Sequence, residues 1–420
     1  MNAPHFASPL AAVQMAPKDP ILGVTETFNA DQNPNKVNLG VGIYYDDSGK
    51  VPLLECVRRA ELQLVEKSAP RGYLPIDGLP VYDRAVRELV FGADSVAVKE
   101  NRVLTVQTLG GTGGLKIGAD FLRRLLPQSQ LWISDPSWEN HRALFENAGF
   151  TVNTYPYYDA TSHGIDFAGM MQTLKALSAG SIVVLHACCH NPTGVDLSAA
   201  QWTGVIDVVV SRGLMPFVDI AYQGFGDGIE ADGEVVRRFA QAGCPVFVSN
   251  SFSKSFSLYG ERVGALSVVA SDSAEAARVL SQLKRTVRTN YSNPPIHGGQ
   301  IVATVLTSPE LRALWEKELG QMRDRIRDMR RQFVEKLRAR LPESDFGFVT
   351  RQRGMFSYSG LSKAAVDRLR EDFSVYAIGT GRICVAALNS RNIDHVTGAI
   401  AQVIGGKPGC ESIDRTGPNG

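Results

Sequence analysis

The sequence has few cysteines, no long apolar run and almost no charge bias. Its six cysteines are sparse for 420 residues, which favours free buried thiols and a reducing compartment such as a bacterial-type cytoplasm. The apolar runs are too short to span a bilayer, and the N-terminus lacks the basic start and apolar centre of a signal peptide. With 44 Lys and Arg against 43 Asp and Glu, nothing indicates a nucleic-acid or anionic-membrane partner.

What the sequence does contain is an alternation of short apolar segments with helical ones. Parallel strands need long crossover connections, which are usually helices, so this alternation predicts an α/β fold. Its sheet should be mostly parallel and covered by helices on both faces. The predicted strands are Val103–Gln107, Leu131–Ser134, Thr151–Tyr155, Ser181–His186, Met215–Asp219 and Val246–Asn250.

A long charged segment, Ser308–Leu341, follows this region and ends at Pro342. Its apolar residues recur at helical spacing, which predicts one very long helix, or two nearly continuous ones, of the kind that bridges domains. Residues 345–405 are predicted to form a smaller α+β unit. The segment's arginines are predicted to lie on a solvated face among acidic residues; they are Arg323, Arg325, Arg327, Arg330 and Arg331.

The N-terminal part carries two local signals. Asp19 followed by Pro20 predicts the N-cap and first position of a short helix that reaches Phe28. The stretch Val37–Tyr45 resembles a strand but is interrupted by glycines. Glycines in a strand permit close approach by a ligand or another backbone.

One lysine, Lys254, lies among small hydroxyl residues and aromatics in the stretch Val248–Gly264. In a confined and partly apolar pocket the ammonium form is destabilised, so the pKa falls and the free amine becomes available for Schiff-base chemistry. Arg262, eight residues further on, offers a fixed cation suited to a phosphate. The alternative is a surface lysine in a Ser-rich turn, and this stretch alone leaves both open.

A glycine-rich segment, Gly110–Gly114, stands between a predicted strand and a predicted helix. Backbone amides and the helix N-terminus form an anion cradle in such a place. The segment matches neither the dinucleotide fingerprint nor the Walker motif. Its context favours a bound phosphate over a turn without a ligand.

Three polar or aromatic residues at predicted strand ends are candidate contacts for a flat ring. Trp138 can stack on a ring in the crevice above the sheet, although a core role is commoner for a tryptophan. A buried carboxylate at Asp219 needs a partner such as a protonated heteroaromatic nitrogen, and the alternative is a capping role. Asn191 begins an Asn-Pro-Thr-Gly turn, where it could contact a ring or a carboxylate.

Two other stretches contain residues of types that bind ligands. The run His186–His190 contains two histidines and two cysteines, but adjacent strand residues point to opposite faces, so no metal site is predicted. Arg382 lies in an otherwise apolar run. A lone buried guanidinium is unfavourable unless it is paired, so a carboxylate from the substrate or the protein is expected to meet it.

In matching order and spacing, these motifs resemble those of the dimeric pyridoxal-phosphate aminotransferases of class I, the aspartate and aromatic amino acid type. The resemblance runs from about Asp19 to Ile404. It implies the pyridoxal-phosphate fold type I, with a mostly parallel seven-stranded sheet in a large domain and a smaller α+β domain. The implied division is an N-terminal arm (1–18), a small domain (19–50 with 323–406), a large cofactor-binding domain (51–322) and a flexible tail (407–420).

The resemblance also implies the cofactor contacts. Ser-Phe-Ser-Lys-Ser-Phe-Ser-Leu-Tyr-Gly-Glu-Arg-Val-Gly resembles the cofactor-lysine signature, so Lys254 would form the Schiff base and carry the proton. Asp219 would pair with the pyridine nitrogen, Trp138 would stack on the ring, and the phenolic oxygen would be bonded by Asn191 and Tyr222. The phosphate would be held by Ser251, Arg262, Gly111 and Thr112, and by Tyr73 from the other subunit of a homodimer.

On the substrate side, the resemblance assigns the α-carboxylate to Arg382 and a distal carboxylate to Arg288, which would come from the partner subunit. The remaining implied substrate contacts are Gly42, Trp138 and Asn191. The implied reaction moves the amino group between tyrosine, phenylalanine or aspartate and 2-oxoglutarate by a ping-pong mechanism.

Substrate preference is divided between two branches of the family. Ile43, Tyr45, Val51 and Leu109 resemble the aromatic branch, whereas Gly72, Thr112 and Asn293 resemble the aspartate branch. We therefore expect a dual-specificity enzyme that prefers aromatic amino acids and accepts aspartate. The alternatives are a strictly aspartate-specific aminotransferase, a pyridoxal-phosphate lyase or decarboxylase on the same fold, and a non-catalytic regulatory protein with this fold.

Overall fold

A computed structural model describes residues 8–16 and 22–405 of the chain. The predicted N-cap Asp19, the ends of the N-terminal arm and the tail lie outside these residues. The α-helices are α1 (Leu22–Ala30), α2 (Glu55–Lys67), α3 (Pro80–Phe91), α4 (Val96–Lys99), α5 (Gly110–Leu125), α6 (Glu139–Asn147), α7 (Phe167–Ala176), α8 (Ala199–Arg212), α9 (Ile229–Gln241), α10 (Ser273–Asn290), α11 (His297–Thr307), α12 (Pro309–Arg340), α13 (Lys363–Phe373) and α14 (Ile393–Gly405).

Strands and short 3-10 helices complete the described part. The 3-10 helices are Pro9–Ala12, Tyr259–Glu261, Gly347–Arg351 and Val385–Ala387. The strands are β1 (Val37–Asn38), β2 (Val103–Leu109), β3 (Leu131–Asp135), β4 (Val152–Pro156), β5 (Tyr158–Asp159), β6 (Gly164–Ile165), β7 (Ile182–His186), β8 (Met215–Ile220), β9 (Val246–Ser251), β10 (Val263–Val269), β11 (Phe356–Tyr358), β12 (Val375–Tyr376) and β13 (Arg382–Cys384).

Seven strands form the central sheet in the order β2-β10-β9-β8-β7-β3-β4. Only β10 runs antiparallel to its neighbours, so the predicted mostly parallel seven-stranded sheet is confirmed. Strand β10 itself was not predicted. An antiparallel strand needs no crossover helix, so the strand–helix alternation does not predict it. Strand β10 also begins directly after Arg262, for which the sequence indicates only a phosphate contact.

Helices cover both faces of this sheet. Successive strand side chains point to opposite faces, and on β8 Phe217 joins one apolar cluster whereas Val218 joins the other. The same division holds on β7 for Val184 and Val183. The sheet is therefore buried on both sides, as an α/β fold requires.

Sequence-distant segments meet beside the sheet. Strand β1 pairs parallel with β12, and β11 pairs antiparallel with β13. The predicted strand over Val37–Tyr45 is therefore reduced to two residues that pair with the C-terminal part of the chain. The pairing joins the two segments assigned to the small domain, whose boundaries stay a prediction.

The long helix α12 is continuous over 32 residues. The prediction that its arginines lie on a solvated face is wrong for Arg330, which is 3% exposed. Arg330 lies one turn beyond Ile326 on the buried stripe of the helix, and its guanidinium donates to the carbonyls of Val349, Gly354 and Phe356. Burial lowers the pKa of Arg330 to about 10. The sequence pattern predicts that solvent water surrounds this guanidinium. The carbonyls between Val349 and Phe356 take the place of that water.

Within the described residues, no helix combines the length and the apolar character needed to cross a membrane.

Candidate active site

A cavity of about 720 Å³ opens where β7, β8 and β9 end, which is where ligands bind in open α/β sheets. Parallel register aligns these ends, since His186 pairs with Asp219 and Asp219 with Ser249. Eleven residues selected from the sequence line it together: Gly42, Gly111, Thr112, Trp138, Asn191, Asp219, Tyr222, Ser251, Lys254, Arg262 and Arg382.

Lys254 lies in the turn that follows β9. The turn is anchored by Phe256, whose ring stacks on Trp315 at 4.7 Å, while the indole nitrogen of Trp315 donates to the carbonyl oxygen of Ser255 at 2.7 Å. Burial lowers the pKa of Lys254 from 10.5 to about 8, the negative charge of Asp219 opposes this shift, and the positive charge of Arg262 adds to it. The buried-amine interpretation of this stretch therefore fits better than a surface turn.

Asp219 is hydrogen-bonded to a histidine that sequence reasoning did not select. Nε2 of His141 lies 2.9 Å from Oδ2 of Asp219, and an ionised carboxylate can only accept, so Nε2 carries the proton. Burial alone would raise the pKa of Asp219, but the hydrogen bond and charge of His141 outweigh it and hold the pKa below the ordinary 3.8. The site thus keeps a carboxylate ionised at the end of β8.

The network continues away from Asp219. Oγ of Ser137 lies 2.9 Å from Nδ1 of His141 and 3.3 Å from Nε2 of His186. Burial lowers the pKa of His186 to about 3, and the charge of His141 acts in the same direction. His190 is bonded to Ser134 at 2.9 Å. Burial also lowers the pKa of His190. His186 and His190 therefore serve as neutral hydrogen-bonding groups, and His186 lines the cavity.

Among the described residues, one group of potential metal donors is compact: Cys188, Cys189 and Asp232, with donor atoms within 4.8 Å of one another. The Asp232 carboxylate already accepts the backbone amides of Gly224 and Gly226, at 2.8 and 2.9 Å. The hydrogen bond with the neighbouring thiol of Cys189 and burial, together with nearby carboxylates, raise the pKa of Cys188. The contacts of these three residues therefore fit a hydrogen-bonded loop whose thiols are protonated.

The start of α5 forms an anion cradle with Ser251 and Arg262. A Cβ at Gly110 would come within 2.5 Å of Nη2 of Arg262, and one at Gly111 would come within 3.1 Å of the Cβ of Ser251, so glycine keeps this space open. Arg262 adopts a left-handed conformation (φ 53°), and Nη1 donates to Oγ of Ser253 at 3.3 Å. Amides, a hydroxyl and a fixed guanidinium are the donors that a phosphate needs, so the residues fit a phosphorylated ligand.

Arg382 is 1% exposed and points its guanidinium into the same cavity. Nη1 donates to Oδ1 of Asn191 at 3.1 Å and Nη2 to the carbonyl of Gly40 at 2.7 Å. The guanidinium carbon lies 4.5 Å from the ring centre of Phe356. A buried and fixed cation of this kind is suited to a carboxylate.

Asn191 and Tyr222 form a pair beside this arginine. Nδ2 of Asn191 lies 3.5 Å from the hydroxyl of Tyr222, and the Tyr222 ring centre lies 5.5 Å from Nζ of Lys254. Burial raises the pKa of Tyr222, so its hydroxyl keeps its proton. Both groups can donate a hydrogen bond to an oxygen next to the lysine.

Two predicted residues lie outside the cavity. Tyr73 is 96% exposed, and Arg288, near the end of α10, is exposed and bonded to Ser292. Neither lines the cavity of its own subunit. The same is true of the specificity candidates Ile43 and Val51, whose roles stay predictions.

Sequence reasoning missed three residues of the site: Glu139 and Phe356, which line the cavity, and His141, which lies behind Asp219. His141 could have been found from its spacing, because it stands three residues after Trp138 and so on the same side of α6. The rings of Trp138 and His141 meet edge to face at 5.3 Å. Phe356 gave no such signal, since only the β11–β13 pairing brings it to Arg382.

Comparison with known proteins adds independent findings. The profile of the family described as Aminotransferase class I and II matches residues 34–400. The chain is 62% identical to an aspartate aminotransferase of Pseudomonas aeruginosa over 394 residues, which cover 94% of this chain and 99% of that protein. It is 54% identical to an aromatic-amino-acid aminotransferase of Escherichia coli over 389 residues, which cover 92% and 98% of the two chains.

A solved structure is similar to this chain over the same share of its length. The crystal structure of the aromatic-amino-acid aminotransferase from Burkholderia pseudomallei, covalently bound to pyridoxal phosphate, superposes with a TM-score of 0.93 at 64% identity. The match covers 94% of this chain and 100% of that one. Relatives whose names refer to two substrate classes are thus similar to this chain over nearly its whole length.

Proposed function

Since this chain belongs to the class I and II aminotransferase family, we propose that it moves an amino group between aromatic amino acids or aspartate and 2-oxoglutarate, with pyridoxal phosphate as cofactor. The observation that carries the proposal is a lysine of lowered pKa beside an ionised Asp219, in one cavity with an anion cradle and a buried arginine. This combination can bind a phosphorylated aldehyde and the carboxylate of an amino acid together.

The chain's residues fit the cofactor. The start of α5, Ser251 and Arg262 would hold its phosphate, Asp219 its ring nitrogen, and Asn191 with Tyr222 its phenolic oxygen. When bound, pyridoxal phosphate supplies an electrophilic carbon that captures amino groups and a ring that withdraws electrons from the substrate α-carbon. Trp138 lines the same space and would cover one face of the ring.

Lys254 and Asp219 divide the proton chemistry. The lowered pKa of Lys254 leaves part of its Nζ uncharged near neutral pH, so Nζ can take the α-proton of the substrate and return it to a neighbouring carbon. Asp219, held ionised by His141, keeps a proton on the ring nitrogen by charge and hydrogen bonding. The two halves of a ping-pong cycle can then use the same lysine in both directions.

Substrate selection is assigned to two arginines. Arg382 would bind the α-carboxylate that every amino acid carries, with Gly42 and Asn191 beside it. Arg288 of the partner subunit would meet the distal carboxylate of aspartate or 2-oxoglutarate and would have to leave or be screened when an aromatic ring enters. The similarity to relatives named for aspartate and for aromatic amino acids supports dual specificity, with aromatic substrates preferred.

A homodimer accounts for the residues left outside the cavity. Tyr73 is 96% exposed, and Met15 in the N-terminal arm is 98% exposed. Val65 on α2 is 69% exposed. Apolar side chains on an extended arm and a helix face are typical of a surface covered by another subunit. We expect Tyr73 and Arg288 to enter the partner's cavity.

The division into an arm, a small domain and a large domain, with the boundaries given above, belongs to the same proposal. So does a cytoplasmic location, which is supported by the free thiols of the described residues, since such thiols persist in reducing compartments; they are Cys56, Cys188, Cys189, Cys244 and Cys384.

The decisive experiment measures kcat/KM for phenylalanine, tyrosine and aspartate with 2-oxoglutarate. We expect turnover of all three, with the aromatic substrates ahead. A preference for aspartate of about a hundredfold would show a strictly aspartate-specific enzyme, since it corresponds to a discrimination that one charged contact can supply. Release of CO₂ or ammonia in place of amino transfer would favour the lyase or decarboxylase alternative.

A further inference from the structure

A second carboxylate, Glu139, shares the cavity with the arginine assigned to the substrate. Its Oε2 lies 3.8 Å from Nη1 of Arg382, within ion-pair range but beyond hydrogen-bond length. Over the part of the chain that the structure describes, this buried oxygen has no hydrogen-bond partner, and neither does Nε of Arg382. Two opposite charges thus line one cavity, each with unused hydrogen-bonding capacity.

The arginine is the fixed member of this pair. Its Nη atoms are held by Asn191 and Gly40, and the side chain is 1% exposed, whereas that of Glu139 is 32% exposed. Glu139 is also the first residue of α6, where a helix N-terminus stabilises a negative charge. The carboxylate therefore lies next to Arg382 without being locked onto it.

We propose that Glu139 is a resident competitor for Arg382 that sets how tightly substrate carboxylates bind. A carboxylate that binds Arg382 has to compete with Glu139 for the guanidinium. Once bound, it lies close to the negative charge of Glu139. Like charges a few ångströms apart repel in a site where water screens little. Affinity for every α-carboxylate is thereby lowered, whatever the side chain. The inference deepens and rests on the proposed function, because it takes Arg382 as the α-carboxylate site.

The test is Glu139→Gln, which removes the charge and keeps the size. In enzyme loaded with pyridoxal phosphate, we expect the Kd of 3-phenylpropionate and the KM of phenylalanine and of aspartate each to fall about tenfold, equivalent to about 1.4 kcal/mol, with little change in kcat. 2-Phenylethylamine has the ring and the amine but no carboxylate, so its Kd should stay unchanged. If the substitution instead disturbed the whole site, the Kd of 2-phenylethylamine would change together with the constants of the carboxylates.

Glu316→Gln is the control, because it removes one charge from a surface pair on α12 outside the cavity, where Glu316 pairs with Arg312 at 3.0 Å. It should change the constants by less than about twofold, as for an exposed pair. Glu139→Ala and a melting temperature check that the fold is kept. Carboxylate binding that is unchanged or weaker in Glu139→Gln, with an active wild type, would overturn the competitor role. An inactive wild type would instead overturn the proposed function.

Discussion

Nε2 of His141 lies 2.9 Å from Oδ2 of Asp219, both side chains are buried, and Asp219 lines the cavity. Burial by itself would raise the pKa of Asp219, and the hydrogen bond and charge of His141 are the largest of the effects that lower it. The histidine therefore helps to keep the carboxylate at the end of β8 ionised. A residue with no predicted contact to the substrate thus tunes the charge of one that is proposed to meet the cofactor.

Replacing this histidine gives the first prediction. In His141→Ala the pKa of Asp219 should rise. On the acidic side of the profile, activity should therefore be lost at a higher pH than in the wild type, and kcat/KM at pH 7 should drop about tenfold or more. The pH profile of kcat/KM with phenylalanine measures both effects. His395→Ala, whose ring bonds to the carbonyl of Phe373, is the control and should keep the wild-type profile. An unshifted acidic limb in His141→Ala would contradict the role.

The amine of Lys254 gives the second prediction. Because its pKa is lowered to about 8, the rate of reductive labelling of cofactor-free enzyme by pyridoxal and borohydride should rise with pH up to about 8 and then level off. Lys254→Ala should lose this labelling and at least about a thousandfold in kcat. Lys284→Ala, which replaces a half-buried lysine paired with Asp77 outside the cavity, should keep both. A labelling midpoint near the ordinary value of 10.5 would count against a buried amine.

Arg382 gives the third prediction. Arg382→Gln should lower kcat/KM for aspartate and phenylalanine alike, by about 2–5 kcal/mol, because a buried charged contact to the common α-carboxylate is lost. Steady-state kinetics with both amino donors measure it. The exposed Arg368→Gln on α13, which loses the pair with Asp372 and a hydrogen bond to the carbonyl of Val403, should be close to wild type. A loss confined to aspartate would mean that Arg382 binds the distal carboxylate instead.

Arg288 tests the subunit arrangement. Arg288→Ala should lower kcat/KM for aspartate by about 2–5 kcal/mol and leave phenylalanine nearly unchanged, whereas Arg285→Ala one turn earlier should affect neither. Mixing Arg288→Ala with Lys254→Ala subunits should restore about a quarter of the aspartate activity, because half of the dimers are mixed and one of their two sites is intact. No recovery after verified subunit exchange would place Arg288 in its own subunit's site.

Arg330 gives a prediction about stability. Arg330→Met leaves the carbonyls of Gly354 and Phe356 without their donor, so the free energy of unfolding should fall by about 3–5 kcal/mol. Urea unfolding of the protein measures it, with Arg331→Met on the exposed side of the same helix expected within about 0.5 kcal/mol of wild type. Because Phe356 packs on Arg382, kcat/KM should fall as well. Equal stability of the two variants would show that water or a rearranged segment replaces the guanidinium.

Local patterns were sufficient for much of the fold. Apolar segments separated by helices predicted six of the seven sheet strands and the mostly parallel order, and Ser308 and Pro342 bracketed α12. Strand β10 escaped because antiparallel strands lack the crossover signal. Arg330 escaped because a charged residue on a helix is normally solvated, and only the carbonyls of a distant segment make its burial tolerable.

By itself, the sequence identified the groups that are proposed to do the chemistry, because strand ends, a glycine-rich helix start and a lysine among small residues each carry a local signature. It could not determine how those groups are charged. The lowered pKa of Lys254, the ionised state of Asp219 and the partnership of Glu139 with Arg382 depend on burial and on neighbours far away in the chain. Only the tertiary structure supplies those neighbours, since electrostatic effects follow distance in space and not distance along the chain.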